Sequence, residues 1–441
     1  MFKTIIDAFK VKEIRKKIFI TLLLLLVYRI GCWIPCVGFN PEFILGDSET
    51  SFGFFELMNM ISGSALANCS VLALGVSPYI TASIVIQLLT VAIPSLERLS
   101  KSGEDGRRKI SLYTRIAALV LAIAQAVGIV VAYSGQALDP NLTGSMPEWL
   151  VGCGVVLILV AGAMFTVWLG ERITDLGIGN GTSLLIFVGI LSTAGSNIGK
   201  ILSAVFAGEL TYLWYLAIFL VAIVGIFAFI VFMDGGERRV QVQYAKQIKG
   251  RKMFGGQSNY IPVKVNATGV MPIIFASALI TFPQLLISIF WPDVTWYSDW
   301  LGTNSWLYIV LTAILILVFA FFYSKISFDP DDISKRIQQQ GGFIPGIRAG
   351  KPTAEHLGKI SSRITLFGAI LLAILALVPS IAFKLIGDFA PASAIEGVAA
   401  ASVLINAFST TGLMIVVSVA LELEKQLSAQ MFVRNHKGFL N

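Results

Sequence analysis

Charge is scarce in this chain of 441 residues: only 13% are Asp, Glu, Lys or Arg, against roughly 25% in ordinary soluble proteins. Histidine is scarcer still, with His356 and His436 alone, and cysteine is limited to Cys32, Cys36, Cys69 and Cys153. Cys32 and Cys36 close an apolar run with no histidine near them in sequence, a poor basis for a metal site. No HExxH, no Ser/His/Asp grouping and no phosphate-binding loop occurs, so no cofactor or metal and no catalytic activity is expected. The long apolar runs also lack Asp and Glu, the groups with which pumps and ion-coupled transporters bind their cargo. What the chain has instead is apolar surface. Hydrophobic residues make up 56%, and the mean hydropathy is +0.80. A globular core cannot absorb that much, whereas a bilayer can.

Runs of about 20 apolar residues mark membrane helices. They fall at 18–34, 76–93, 116–133, 150–169, 182–198, 213–233, 270–290, 306–323, 364–385 and 398–420. Between the first two lies 54–66, FFELMNMISGSAL, which is apolar but too short to span. It reads as a re-entrant half-helix, tolerated at membrane depth only where protein or a cavity surrounds it. Arg29 lies within the first span, close enough to its end to snorkel.

Lysine and arginine give the orientation. The N-terminus, alternate loops and the tail hold 30 of the 33, while the opposite loops hold only Lys200 and Lys384. The positive-inside rule therefore predicts two cytoplasmic termini. Two cytoplasmic loops are long and carry seven basic residues each, 234–266 and 324–363. The first alternates valine, glutamine, tyrosine and lysine like a β-hairpin, and the second displays Arg348 in the turn-rich GGFIPGIRAG. They are either solvated connectors or a docking face for a polyanion or large partner.

An internal repeat divides the chain. GVSPYITAS (Gly75 to Ser83) and GVMPIIFAS (Gly269 to Ser277) share six of nine residues at an offset of 194. Five spans separate them, and an odd number inverts the second copy in the membrane. Channels and transporters both use this plan. Within the repeats, Ile80 and Ile84 share one helix face, as do Ile186 and Ile190 in the fifth span, and Ile274 is the repeat partner of Ile80. Such stripes serve ordinary helix packing, or they form a dry constriction.

Five segments carry a resemblance to the SecY family of protein-translocation channel subunits. They are GVSPYITASIVIQLL (75–89), SGEDGRRKISLYTR (102–115), ERITDLGIGNGTSLLIF (171–187), ERRVQVQYAKQIKGRKMFGGQSNYIPVKVN (237–266) and GGFIPGIRAGKPT (341–353). The resemblance implies an all-α polytopic membrane protein of ten transmembrane helices. Two inverted five-helix halves, 1–200 and 201–441, would enclose an hourglass channel that conducts unfolded polypeptide and releases apolar segments sideways into lipid. The pore ring would be Ile80, Ile84, Ile186, Ile190, Ile274 and Ile415. The plug half-helix would include Phe55, Leu57, Met58, Met60, Ile61, Ser62, Gly63 and Ser64, and the lateral gate Ser83, Gln87 and Ser277. Arg238, Arg239 and Arg348 would contact a ribosome or a SecA-type ATPase motor. SecE-like and SecG-like membrane subunits, signal peptides and membrane lipid complete the expected partners, in a bacterial inner membrane. An inverted-repeat solute transporter is the alternative. Two departures stand out: Ala349 occupies the place of a proline usual after the loop arginine, and FSTTGLM (408–414) has one glycine where relatives often have two.

Overall fold

The computed structural model describes residues 9–39, 59, 61–132, 147–206, 211–244, 247–249, 252–254, 258–266, 269, 271–290, 300, 305–389 and 410–437. The chain is mostly helical. The helices are α1 (Lys12–Gly31), α2 (Ser77–Ala92), α3 (Pro94–Lys101), α4 (Glu104–Ala132), α5 (Glu148–Leu176), α6 (Gly181–Phe206) and α7 (Thr211–Gly235). After the strands come α8 (Met271–Phe290), α9 (Trp306–Ser327), α10 (Pro330–Gln339), α11 (Lys351–Phe389) and α12 (Thr410–Lys437). Four helical stretches among the described residues are long and apolar enough to cross a membrane alone, and shorter apolar stretches lie in α6, α7 and α8. Exposed Leu23, Leu26, Leu157, Phe232, Val318 and Phe367 give the bundle an apolar outer surface suited to lipid.

Local sequence sets the breaks. Gly75 and Gly269, the paired glycines of the repeat, both take positive φ, +53° and +62°. Each ends an irregular approach just before a helix with proline in its first turn, Pro78 in α2 and Pro272 in α8. The repeat thus encodes a left-handed turn into a helix, twice. Pro94 forces Ile93 out of helical geometry (φ −108°, ψ 113°), so α3 leaves α2 at 107°. Asp329 caps α10 by accepting from the backbone N–H groups of Asp331 (3.0 Å) and Asp332 (3.4 Å).

Within the first half, α2 packs on α4, α4 on α5, and α5 on α6, while α1 lies against α5 and α6. In the second half α8, α9 and α11 form one layer and α12 joins α7 to α11. Among the described residues the first group meets the second where α4 lies against α8, where α6 lies against α7 and α12, and where Tyr323 of α9 reaches Gln87 of α2.

Three differences from the sequence reading have physical causes. Helices α4, α11 and α12 run well past the apolar runs, to Glu104, Lys351 and Lys437. Hydropathy sees only the membrane portion of a helix, whose polar turns continue into water. The chain is also not purely helical. The loop 234–266 forms β1 (Glu237–Tyr244), β2 (Gln247–Lys249), β3 (Lys252–Phe254) and β4 (Ser258–Lys264). Thirdly, the two long basic loops are one structure. A short strand β5 (Gly342–Phe343) from the second pairs with β1, giving the order β4-β1-β5. Alternation in β1 buries Val240 and Val242 while Arg239 and Gln241 face solvent, and Arg238, on the valine face, is exposed at the strand's start. Val240, Val242 and Val263 then meet Ile337 of α10, Ile344 and Leu357 of α11 in a small separate core.

That core yields a prediction. Val242 is 1% exposed, so Val242→Asp buries an unpaired carboxylate at a cost on the order of 3 kcal/mol. Limited proteolysis between residues 244 and 258 should accelerate strongly, while Gln241→Asp, facing water on the same strand, should leave the cleavage rate unchanged.

Candidate functional site

The isoleucines singled out in four separated segments converge. Ile186 and Ile190 of α6 and Ile415 of α12 are buried in one apolar cluster, with Ile80 of α2 and Ile274 of α8 packed against it. Ile84 lies in the neighbouring cluster with Phe275, Phe319 and Val417, and Ile80 touches both. Side chains of α2, α6, α8 and α12 therefore meet in two adjoining apolar clusters that Ile80 bridges.

Of the plug residues, Phe55, Leu57, Met58 and Met60 lie outside the described residues, while Ile61, Ser62, Gly63 and Ser64 are within them. Ile61 packs on the isoleucine cluster. The stretch after it is irregular and its backbone groups are satisfied by neighbouring elements. The Tyr28 hydroxyl donates to the Ser62 carbonyl at 3.3 Å, and Arg29 Nη1 donates to the Gly63 carbonyl at 3.3 Å. Ser64 Oγ reaches Thr193 Oγ1 at 3.5 Å, and Asn59 Oδ1 accepts from the Ala67 N–H at 3.0 Å. On α6, Gly189 comes so close that a Cβ there would overlap the Ile61 carbonyl.

Arg29 corrects the expectation of snorkelling. It is turned inward, with Nη2 on Ser192 Oγ of α6 and Nη1 on the Gly63 carbonyl, so one guanidinium joins α1, α6 and the segment after Ile61. A fork with five donors and a permanent charge can hold several acceptors in this way.

The seam between the halves is closed by polar contacts on one edge. Gln87 Nε2 donates to Ser83 Oγ one turn earlier (3.2 Å), and Gln87 Oε1 accepts from the Tyr323 hydroxyl of α9 (2.7 Å). The Tyr323 ring lies 4.7 Å from that of Phe275 on α8. Ser277 Oγ donates to the Ile274 carbonyl of its own helix at 2.9 Å. Sequence reasoning missed Tyr323. Its signal was a tyrosine at the end of an apolar helix, whose hydroxyl requires a partner.

On the sheet, Arg239 pairs with Glu237 (2.8 Å) and lies 4.8 Å over the Tyr260 ring. The hydrogen bond from Glu237, and then Tyr260, raise its pKa above the ordinary arginine value. Arg238 and Arg348 are exposed. The Arg348 carbonyl accepts from Thr353 Oγ1 at 2.8 Å, fixing the backbone that presents its side chain.

Arg29→Met keeps the length and removes the fork, leaving the Gly63 carbonyl and Ser192 without it. We expect a loss of about 2 kcal/mol, the worth of a charged hydrogen bond. It would be read as a lower thermal midpoint in detergent and a higher resting ion conductance in planar bilayers, with Arg29→Lys intermediate in both.

Comparison with known proteins agrees with this geometry. The SecY family pattern matches residues 70–423. The chain is 40% identical to the protein translocase subunit SecY of Streptomyces lividans over 458 residues, covering 100% of both chains. It is 38% identical to that of Thermus thermophilus, covering 100% of this chain and 98% of the relative. Among solved structures, one described as "The structure of a protein conducting channel" superposes with TM-score 0.65 at 19% identity, covering 96% of this chain and 94% of that one. Sec61 in the canine ribosome-channel complex from the endoplasmic reticulum superposes with TM-score 0.60 at 18% identity, with the same coverage. The chain belongs to the SecY family.

Proposed function

We propose that this chain is a protein-conducting channel, the pore subunit of a translocase in a bacterial inner membrane. It passes unfolded secretory polypeptides across the bilayer and releases apolar segments sideways into lipid. The observation that carries this reading is the apolar contact of Ile80, Ile186, Ile190, Ile274 and Ile415, drawn from both halves of a membrane-type bundle. Such a waist excludes water and ions by dewetting, yet it carries no fixed charge or directional bond that a passing apolar chain would have to break. The solute-transporter alternative has no observation in its favour.

In this reading ten spans form two inverted halves, 1–200 and 201–441, around an hourglass pore with both termini in the cytoplasm. Residue 200 falls inside α6, so the functional division lies at the α6–α7 connection. The six isoleucines form the seal, and residues 54–66 form a plug resting on it. The lateral gate opens along α2 and α4 on one side and α8 and α9 on the other. One neutral hydrogen bond, Tyr323 to Gln87, contributes about 1 kcal/mol net. A signal helix burying a further ~100 Å² of apolar surface gains about 2.5 kcal/mol. Apolar segments can therefore outcompete the clasp.

Force must come from partners. A SecA-type ATPase motor, ribosomes, SecE-like and SecG-like subunits, signal peptides and membrane lipid are the expected ones. The basic sheet presenting Arg238, Arg239 and Arg348 suits acidic or phosphate-bearing partners. The decisive experiment is reconstitution with candidate subunits, motor and a fluorescent presecretory protein. ATP-dependent protection of the cargo inside vesicles is expected, and uptake of a small solute without cargo would overturn the reading.

Two variants sharpen it. Replacing Ile80, Ile186, Ile190 and Ile274 together by serine should keep the waist wet and raise resting ion conductance several-fold, whereas Ile84→Val should change it little. Arg348→Glu should abolish motor-driven import while leaving membrane insertion intact, and Arg238→Glu with Arg239→Glu should weaken ribosome binding most. Wild-type import and ribosome affinity in these variants would reduce the arginines to topological markers.

A further inference from the structure

Two of the four cysteines face each other where α1 ends. Pro35 and Ser70 form an antiparallel bridge, flanked by hydrogen bonds from Cys36 N–H to the Cys69 carbonyl (2.8 Å) and from Val71 N–H to the Ile34 carbonyl (3.0 Å). That register sets Cys36 opposite Cys69. Cys69 takes a left-handed φ of +47° and gives its own N–H to the Leu66 carbonyl, so the single bond from Cys36 ties the two residues. That bond keeps their Cα atoms near the about 5.5 Å of opposed residues, within the ~4.4–6.8 Å that a disulfide spans. Both side chains are buried, at 3% and 1% exposure, in one apolar cluster with Leu66, Ala73 and Leu74.

The other two thiols are elsewhere. Cys32 turns its sulfur to the Ser62 carbonyl (3.7 Å) within the isoleucine cluster, and Cys153 is exposed on α5. One pairing is thus favoured by geometry. We propose that Cys36 and Cys69 are a dithiol pair that closes to a disulfide across the base of the plug segment. The compartment in which it does so rests on the orientation given under Proposed function. There the pair lies at the end of α1 away from the basic N-terminus, on the extracytoplasmic side, where disulfides persist in oxidising surroundings.

The chemistry is thiol–disulfide exchange with a small-molecule or protein disulfide as oxidant. The Cys36 thiolate attacks one sulfur of the oxidant, forming a mixed disulfide and releasing one thiolate, which takes up a proton. The Cys69 thiolate then attacks the Cys36 sulfur and releases the second thiolate. Two protein S–H groups become one S–S bond, and the oxidant takes up both electrons and both protons. Burial pushes Cys36 to about 11 and, together with its neighbour Cys36, pushes Cys69 to about 12. Few thiolates therefore exist while the segment is seated, and exchange proceeds when it lifts from α1.

The bridge would close the loop from residue 36 to residue 69, which contains Ile61, Ser62, Gly63 and Ser64. Those residues could still leave the waist, but their C-terminal attachment would stay at α1. Oxidation would tether the plug without removing its travel.

The full-length chain, purified reduced in detergent, is incubated with oxidised glutathione at mildly alkaline pH, then denatured, alkylated with a maleimide and mapped by mass spectrometry. Two adducts instead of four are expected, at Cys32 and Cys153, with a linked Cys36–Cys69 peptide that dithiothreitol reverses. That peptide should predominate over any bridge containing Cys32, whose sulfur turns instead to the Ser62 carbonyl. Cys32→Ser and Cys153→Ser should still form it, and Cys36→Ser should not. Four adducts after oxidation, or a predominant bridge through Cys32, would overturn the proposal. The thiol count does not depend on import, so it can fail while the channel reading stands, and the converse.

Discussion

Hydrocarbon offers no water to a peptide group, and everything in this protein follows from where its backbone hydrogen bonds can be made. The long apolar segments solve the problem internally, as helices. The irregular stretch from Ile61 to Val76 does so only in part, through short turns such as Cys69 N–H to the Leu66 carbonyl and Ser70 N–H to the Ala65 carbonyl. Others are met from outside those turns: Tyr28 and Arg29 of α1 donate to the Ser62 and Gly63 carbonyls and Asn59 accepts from the Ala67 N–H, while Ser192 and Thr193 of α6 hold Arg29 and the Ser64 hydroxyl. The most expensive group in the interior, a guanidinium, is present because it satisfies acceptors that no helix could.

The same constraint bears on the contact that α2, α6, α8 and α12 make with one another. Their central contact is isoleucine against isoleucine, non-directional and free of fixed charge. Dispersion and exclusion of water hold it shut, and a passing apolar chain supplies equivalent contacts in exchange. Directional bonds are kept to the edge, at Tyr323 and Gln87. Charged ties sit in the water-exposed layer. Lys425 of α12 pairs with Asp234 at the end of α7 at 2.9 Å, and Arg115 of α4 pairs with Glu171 of α5 at 2.7 Å. Both join helices within one half, so neither opposes parting of the halves.

Particular residues mark how far the sequence could be read. The apolar runs were legible because the bilayer demands about 20 apolar residues per crossing. The Gly75/Gly269 repeat was legible as an alignment, and its meaning, a left-handed turn into a helix, appears only in the φ angles. The isoleucines were ambiguous by spacing, since packing and gating use the same stripe. Arg29 was misread, because a charge near a span end usually reaches for water, and nothing in a linear string pairs it with Gly63 and Ser192. The loops 234–266 and 324–363 were read separately, and β5 pairs with β1 across about a hundred residues of chain.

Sequence by itself determined the solvent of this protein, the place of its apolar segments, the repeat of Gly75 and Gly269 and the residue types at its centre. All of these depend on composition and period, which are local and additive. Tertiary structure alone decided which isoleucines touch, that Tyr323 clasps Gln87, that two basic loops share one sheet and that Cys36 opposes Cys69. Each of these is a contact between residues distant in the chain. Such pairings depend on how helices cross and loops return, and one residue's chemistry admits many partners until packing selects one.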